Sequence, residues 1–307
     1  MRTYFFAFMQ IEIEKLVESG QSSTARNYLS AKKSFMGFVN DEYLPFKALT
    51  GQLVLEYEKW LKRHSVLRNT SSFYMRQLRS VYNKAVEYKL TTQKHPFTGV
   101  YTGVDKTKKR AVNESVVTRL LALDVRDYPQ SLTFAKDLFL LSFYMCGIAF
   151  VDLAYLKKEN IKSGVIRYTR HKTDVTMEVK MEGCILEIFN RYAKESCFDY
   201  LLPIITEADE KKAYQQYLNK RSYYNKLLKR LSVMLKLEIP LTSYVSRHTW
   251  ATVARDMNIP ISVISAGMGH TSEHMTRIYL ASLDESTISQ ANLKIMEYIN
   301  SNKDVMR

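Results

Sequence analysis

Residues 244–280, YVSRHTWATVARDMNIPISVISAGMGHTSEHMTRIYL, decide the fold that this sequence predicts. Apolar residues recur there at helical spacing and predict a succession of short helices. These helices span 243–258, 261–267 and 272–280. Arg247, His270 and Tyr279 stand near the ends of the helices. Taken alone, Tyr279 shares a helix stripe with Met275 and has the pattern of an ordinary core tyrosine.

The whole chain of 307 residues has the composition of a globular protein with room for two cores. Apolar residues make up 46% and charged residues 25%, a balance typical of folded domains. The formal net charge of +14 creates a field that attracts polyanions. Nucleic acid is therefore the first candidate partner, and an anionic membrane surface is the second.

Cysteine usage and the N-terminal residues predict a cytoplasmic protein. Cys146, Cys184 and Cys197 are an odd number without CxxC spacing, which indicates neither a disulfide framework nor a zinc knuckle. The apolar run TYFFAFM, residues 3–9, is too short for a signal peptide or a membrane span. We therefore expect a protein of the cytoplasm without a membrane partner.

Helical periodicity predicts an all-helical first domain over residues 1–103. Its candidate helices cover 22–39, 53–64 and 71–88. Residues 104–113 read as a basic linker, and a second domain covers 114–307. A linker of this charge can lie along a phosphate backbone, although a merely exposed connector has the same composition.

Basic residues of the first domain and the linker are candidates for phosphate contacts. On the helices they are Lys32, Lys33, Arg76 and Arg79, and in the linker they are Lys106, Lys108, Lys109 and Arg110. For any single helical residue, a merely solvated face is an equal alternative.

The sequence period changes between residues 164 and 181, where β-branched and polar residues alternate on both sides of HKTD. This alternation predicts a β-hairpin with its turn at HKTD. Helical patterns resume after the hairpin and continue to a final amphipathic segment at 284–300. We therefore predict a mainly α protein with a small β-hairpin, an α+β fold in two domains.

Several common sites have no support in the sequence. It contains no GxGxxG, GxxxxGKS or GxSxG, which excludes the usual nucleotide-cradling loops and the serine-hydrolase elbow. His270 and His274 have the spacing of a metal pair, but the helix is expected to begin after His270, so the two side chains need not share a face. We expect neither a metal nor a cofactor.

What remains is a set of cationic and hydrogen-bonding side chains at the edges of elements. An arginine offers a planar donor fork that matches two phosphate oxygens, and a lysine can give a proton to a leaving alkoxide. The candidates in chain order are Lys172 in the hairpin turn, Arg247, His270 and Tyr279. Side chains of these types suit phosphoryl transfer, and their order is informative.

The series KT, SRHTWAT and MGHTSEHMTRIYL resembles the catalytic domain of the tyrosine recombinases, the phage-type integrases. The resemblance covers most of the chain, because that family joins a helical, SAM-like core-binding domain to a catalytic domain. It implies that Tyr279 attacks a DNA phosphate to give a 3′-phosphotyrosine and a free 5′-hydroxyl. It also implies that Arg247 and His270 hold the phosphate and that Lys172 protonates the departing 5′-oxygen. Neither metal nor ATP is then required.

The sequence departs from the family pattern at two positions. Ala149 stands where the first catalytic arginine is expected, in the run CGIAFVDLAYL, with Asp152 at the supporting acidic position. Tyr244 occupies the histidine position of the His-x-x-Arg box and can still donate a hydrogen bond. We hypothesise that a cation on the hairpin strand, Arg170 or Arg167, replaces part of the charge that Ala149 lacks.

The resemblance implies a site-specific recombinase that acts in integration and excision of a mobile element or in DNA inversion. Its partners would be double-stranded DNA with inverted-repeat core sites, a tetramer on synapsed DNA joined through 284–300, and an accessory DNA-bending protein. Bound to DNA, the protein would be associated with the nucleoid. For 284–300, packing on its own domain is an equal alternative.

Two competing interpretations share parts of this pattern. A catalytically impaired DNA-binding relative, acting as a regulator or accessory factor, is supported by Ala149 and Tyr244. The retention of the nucleophile argues against it, because a protein that only binds DNA needs no Tyr279. A type IB topoisomerase has the same chemistry, but the compact two-domain layout disfavours it.

Overall fold

The computed structural model describes residues 4–105, 111–280 and 296, with the backbone alone at 278 and 279. The chain divides into two compact units, Met1–Thr107 and Lys108–Arg307. The basic residues predicted in the linker, at 106–110, lie outside the described residues. So does the predicted helix at 284–300, apart from Met296.

The first unit is a helical bundle, as the periodicity predicts. Its helices are α1 (Phe5–Glu18), α2 (Ser22–Val39), α3 (Gly51–Arg63) and α4 (Arg68–Glu87), with a 3-10 turn at Phe46–Ala48. The sequence pattern predicts α2, α3 and α4 but not α1. In α1 the side chains of Phe5, Phe6 and Met9 are all buried, so its first turns lack the polar face that marks an amphipathic helix.

The end of the first unit is held against α4 by side-chain hydrogen bonds. Arg76 donates to the carbonyl oxygens of Thr102 and Gly103 at 3.3 and 3.1 Å. Asp105 accepts from Nη1 of Arg68 at 3.2 Å. The chain is therefore fixed on α4 up to Asp105, which includes the first two residues of the predicted linker.

The second unit combines a small antiparallel sheet with a larger set of helices. The strands are β1 (Ile161–Lys162), β2 (Val165–Thr169) and β3 (Thr176–Lys180), in the order β1-β2-β3. The described helices are α5 (Glu114–Ala122), α6 (Gln130–Tyr144), α7 (Phe150–Ala154), α8 (Gly183–Tyr192), α9 (Glu210–Met234), α10 (Val245–Asp256), α11 (Ile261–Gly267) and α12 (Glu273–Leu280). A 3-10 turn, Lys158–Asn160, precedes β1.

The predicted hairpin is confirmed as β2 and β3. Thr169 pairs with Thr176, so the turn between them contains HKTD as expected. Helix α5 begins with a side-chain cap, because the side chain of Asn113 accepts from the backbone N–H of Ser115 at 3.0 Å.

Helix α6 lies in the core of the second unit. Four consecutive residues, Leu138, Phe139, Leu140 and Leu141, are buried, so this helix is covered on every side along that turn. Helix α10 is also deeply buried, with Val245 and Ala251 inaccessible to solvent. In the described part of the chain, no helix combines the length and apolar character needed to cross a membrane.

Candidate active site

Arg247 is buried in the first turn of α10 and bonds to two backbone carbonyls. Its exposed fraction is 3%, and Nη1 donates to the carbonyl oxygen of Gly147 at 2.8 Å. Nη2 donates to the carbonyl oxygen of Met268. Because these carbonyls follow α6 and α11 respectively, one guanidinium group ties three parts of the second unit together.

Gly147 makes room for Arg247. Its φ is +72°, and a Cβ built at this position would lie 2.8 Å from Cα and 2.9 Å from Cγ of Arg247. Any larger residue would therefore combine an unfavourable backbone conformation with a steric clash. The glycine in CGIAFVD is thus required by the arginine of SRHTWAT, 100 positions later in the chain.

Arg170, which directly follows β2, lies against the same carbonyl groups. It is 5% exposed, and Nη1 donates to the carbonyl oxygens of Met268 at 2.9 Å and Gly269 at 2.5 Å. Two guanidinium groups therefore share the carbonyl oxygen of Met268. The Nε of Arg170 is buried without a hydrogen-bond partner among the described residues.

The two cations proposed to replace the missing arginine lie on opposite faces of the hairpin. Ile166, Tyr168 and Arg170 are buried, whereas Arg167 is exposed. The Nε of Arg167 pairs with Glu178 on β3 at 2.8 Å. Of these two candidates, the geometry brings Arg170 to Arg247 and leaves Arg167 on the surface.

Asp152, on α7, is the buried carboxylate of this cluster. Its exposed fraction is 3%, and Oδ1 accepts from both the backbone N–H and the ring Nδ1 of His171, each at 2.9 Å. Oδ2 lies 3.9 Å from Nε of Arg170, within ion-pair range but beyond hydrogen-bond range. The carboxylate therefore provides the negative charge nearest to the guanidinium group of Arg170 and orients the hairpin turn.

His270 follows Gly269 directly and is held between α11 and α12. Its backbone N–H donates to the carbonyl of Ser265 at 3.0 Å, and its Nδ1 lies 2.8 Å from Oγ1 of the fully buried Thr276. Burial lowers the pKa of His270 to about 4, and the charges of Arg247, Arg170 and Lys172 lower this pKa further in the same direction. The imidazole is therefore neutral at pH 7.

Gly269, which precedes His270, is required for steric reasons similar to those at Gly147. Gly269 has a φ of +58°, and a Cβ there would lie 2.7 Å from Cδ of Arg170 and 2.5 Å from Sδ of Met177. Only glycine allows the backbone before His270 to approach the hairpin this closely.

The remaining predicted residues lie in the hairpin turn or at the ends of helices. Lys172 is exposed in the hairpin turn, and Ala149 is the half-buried residue that precedes α7. Tyr244 is 48% exposed at the start of α10, with its ring centroid 4.9 Å from that of His248. Tyr279 lies on α12, the helix that also carries Thr276, and its side chain is outside the described atoms.

The predicted DNA contacts of the first unit differ in their surroundings. Lys33 and Arg79 are exposed, although Arg79 also lies 3.4 Å from the hydroxyl of Thr102. Lys32 donates to Gln10 at 2.9 Å, and partial burial lowers the pKa of Lys32. Arg76 is engaged with the chain beyond α4, as described above.

The cluster has the charge and donors of an anion site. Arg247 and Arg170 carry two buried positive charges, Lys172 adds a third nearby, and Asp152 offsets one of them. Arginine forks and a neutral imidazole are suitable donors for a phosphate whose charge grows in a transition state. Within 4–105 and 111–280, no group of three or more His, Cys, Asp or Glu side chains is positioned to hold a metal ion.

Sequence reasoning missed the residues that organise the site without carrying its charge. These are Gly147, His171, Thr276 and the carbonyl groups of Met268 and Gly269. A signal existed for one feature: alternation along VIRYTR puts Arg167 and Arg170 on opposite faces. The carbonyl partners carried no signal, because every residue has a carbonyl group.

Comparison with known proteins agrees with this architecture. Residues 4–100 match the phage integrase SAM-like domain, and residues 110–286 match the phage integrase family. A tyrosine recombinase of Pseudothermotoga lettingae is 20% identical over 276 residues, which cover 88% of this chain and 91% of that protein.

Solved structures share the fold at low sequence identity. The Tn1549 transposon integrase in complex with a circular intermediate DNA has a TM-score of 0.68 at 13% identity, covering 95% of this chain and 99% of that one. A lambda integrase tetramer bound to a Holliday junction has a TM-score of 0.62 at 13% identity, covering 88% of this chain and 76% of that one. The chain therefore belongs to the phage integrase family and is a site-specific tyrosine recombinase.

Proposed function

We propose that the chain cuts and rejoins double-stranded DNA through a covalent bond between Tyr279 and a 3′-phosphate. The phenol gives up its proton to solvent as its oxygen attacks the phosphorus, the bond to the 5′-oxygen breaks, and Lys172 gives that oxygen a proton, which Lys172 recovers when the step is reversed. The 5′-hydroxyl of a second strand then attacks the phosphotyrosine and restores a phosphodiester. One phosphodiester is exchanged for another, so the cycle balances without ATP.

The observation that carries this proposal is the convergence of Arg247 and Arg170 on the carbonyl of Met268, directly before Gly269 and His270. Asp152 offsets part of the repulsion between these two buried guanidinium groups, and a further anion would offset the rest. A phosphate in attack geometry supplies that anion, and its extra charge in the pentacoordinate state would strengthen the bonds to both arginines.

Arg170 is proposed to supply the charge that Ala149 lacks. It is as buried as Arg247, it is bound to an adjacent carbonyl, and its Nε has no hydrogen-bond partner among the described residues. The position after β2 places this side chain on the buried face of the hairpin, whereas the position of Arg167 does not.

Covalent trapping tests the nucleophile. On a duplex nicked beside the cleavage point, the wild-type protein should form an adduct that resists SDS, and Tyr279→Phe should form none. Tyr223→Phe is the matched control, because Tyr223 is 49% exposed on α9 and its hydroxyl lies 3.3 Å from that of Ser131 on α6. Absence of an adduct with the wild-type protein in every condition would instead support a DNA-binding relative without catalysis.

A pair of variants on the hairpin tests the replacement cation. Arg170→Ala should slow single-turnover cleavage by about a hundredfold, the usual loss for one donor to a developing negative charge. Arg167→Ala removes the same charge from the exposed face and should change the rate less than about threefold. Equal effects of the two variants would show that net charge rather than the position of Arg170 matters.

The proposal extends to the assembly on DNA. The lambda integrase neighbour is a tetramer on a Holliday junction, and we propose a tetramer here on inverted-repeat core sites, with 284–300 joining neighbouring copies. An accessory DNA-bending protein and association with the nucleoid belong to the same proposal. Truncation after Leu283 should weaken synapsis while sparing binding to a single site. Equal loss of both would instead indicate that 284–300 packs on its own unit.

A further inference from the structure

One carboxylate oxygen binds His171 twice. The backbone N–H and the ring Nδ1 of this residue both lie 2.9 Å from Oδ1 of Asp152. The carboxylate is 2% exposed and the imidazole 46% exposed, so the ring extends from the buried carboxylate toward solvent. Its other neighbour is Tyr155, also near α7, at 5.0 Å between ring centroids.

His171 is the residue immediately before Lys172 in the hairpin turn. The turn closes locally through Arg170, which donates to the carbonyl of Val175 at 3.0 Å and accepts from the backbone N–H of Asp174 at 2.9 Å. These bonds set the shape of the turn but not its position against α7. The two bonds to Asp152 set that position.

We propose that His171 is a positioning residue for Lys172, acting through its paired hydrogen bonds to Asp152. A lysine side chain has many rotamers, and an exposed lysine in a turn can deliver a proton only if its backbone is held in place. The bonds of His171 hold the backbone one residue away from the ammonium-bearing side chain. The inference rests on the proposed role of Lys172 as the general acid.

The chemistry of the imidazole identifies the nitrogen that matters. A carboxylate accepts hydrogen bonds, so Nδ1 must carry the proton and donate to Asp152. This contact requires a proton on Nδ1 only and makes no use of Nε2. An asparagine side chain places an N–H close to the position of Nδ1, whereas a glutamine places one close to the position of Nε2.

Replacing the leaving oxygen with sulfur isolates the step that His171 serves. In normal DNA the bond from phosphorus to the 5′-oxygen breaks as Lys172 transfers a proton to that oxygen. With a bridging 5′-sulfur, the leaving group is a thiolate, whose conjugate acid has a pKa of about 8.5, so it departs without a proton. A residue that acts through Lys172 becomes unimportant on this substrate, and a residue that binds the phosphate does not.

The experiment measures single-turnover adduct formation on matched nicked duplexes with 5′-oxygen or bridging 5′-sulfur at the cleavage point. On the oxygen substrate, His171→Ala should be slower than wild type by about tenfold or more, a part of the full contribution of a general acid. On the sulfur substrate it should fall within about twofold of wild type, and so should Lys172→Ala. Arg247→Ala should be slower than wild type on both the oxygen and the sulfur substrate. Thr176→Ala, at an exposed position on β3, should match wild type on both substrates.

Two conservative variants complete the test. His171→Asn keeps the donor to Asp152 and should retain most of the oxygen-substrate rate, whereas His171→Gln should behave like His171→Ala. Binding of the intact DNA site and the melting temperature identify any variant that fails to fold. If His171→Ala alone fails to fold, the comparison of Asn with Gln still decides the question.

Three outcomes would overturn the inference. They are an unchanged rate for His171→Ala on oxygen, an equal slowing on oxygen and sulfur, and rescue by Gln instead of Asn. The last two would place His171 at the phosphate itself. Failure of sulfur to rescue Lys172→Ala would instead refute the general-acid role of Lys172, so the two assignments fail in different ways.

Discussion

Arginine side chains bind backbone carbonyls in both units, yet their surroundings differ. In the first unit, Arg76 is partly exposed and donates to Thr102 and Gly103, the end of the unit. In the second, Arg247 and Arg170 are almost fully buried and donate to carbonyls that follow whole helices. Charge near water is screened, whereas buried charge acts strongly at short range. The same residue type therefore fastens the chain in one unit and forms a buried pair of positive charges in the other.

The largest effect is expected at Arg247, where a substitution can keep the positive charge but remove the directed hydrogen bonds. Arg247→Lys should slow single-turnover cleavage by at least about a hundredfold, because one ammonium group cannot reproduce two directed bonds to Gly147 and Met268. Arg255→Lys, on the more exposed end of the same helix, is the control and should stay close to wild type. A rate for Arg247→Lys close to that of the control would mean that positive charge alone suffices.

The next effect tests whether the buried cluster depends on its glycine. Gly147→Ala should lower stability by about 1–3 kcal/mol through its positive φ, and should also displace Arg247 and slow cleavage. Gly164→Ala is a matched control, since its φ is +74° and nothing lies within 4 Å of the added Cβ. Both variants should melt earlier than wild type, but only Gly147→Ala should lose cleavage rate. Equal cleavage rates of the two variants would contradict the proposal that Gly147 makes room for Arg247.

A smaller effect is expected at Arg76. If this side chain fastens Thr102 and Gly103, Arg76→Ala should lower the free energy of unfolding by about 1 kcal/mol and speed proteolysis near 104–113. The salt dependence of DNA binding should not change. The comparison is Lys33→Ala, because Lys33 is exposed. Loss of one phosphate contact makes the plot of the logarithm of the DNA-binding constant against the logarithm of salt concentration less steep by about 0.9. A lower slope for Arg76→Ala would assign Arg76 to DNA instead.

At pH 7 the smallest expected effect is that of His270, because the pH dependence that it contributes appears only in acid. Its pKa is about 4 in the folded protein against an ordinary value of 6.5, so the unfolded chain binds more protons between these values. Stability from the neutral ring is therefore complete above about pH 6.5 and declines as pH falls toward about 4. His270→Gln lacks this decline, so its melting temperature should approach or pass that of wild type at pH 5. A constant difference between pH 7.5 and 5 would contradict the lowered pKa.

Local sequence pattern was sufficient for most of the secondary structure. The helices α2, α10 and α11 and the hairpin follow from periodicity, because burial of one face leaves a regular trace in the sequence. Helix α1 left no such trace, since its aromatic residues are buried around most of its circumference. The order of Lys172, Arg247, His270 and Tyr279 was likewise readable in advance, although their roles stay predictions.

The tertiary structure showed which distant residues meet in the cluster. Strand alternation separates the faces of Arg167 and Arg170 but does not identify the partners of Arg170, and His171 has no feature that separates it from an ordinary turn residue. Packing of the hairpin against α7 and α11 brings Arg170 to the carbonyl of Met268, 98 positions away, and His171 to Asp152.

The sequence by itself thus determined the two-unit helical plan, the hairpin and the identity of the charged residues available for chemistry. The tertiary structure decided which of those charges are buried together and which carbonyls and carboxylate hold them. The physical reason is that periodicity records only whether a residue faces the core. Contacts between distant segments depend on how closely the backbones approach, and here Gly147 and Gly269 permit that approach.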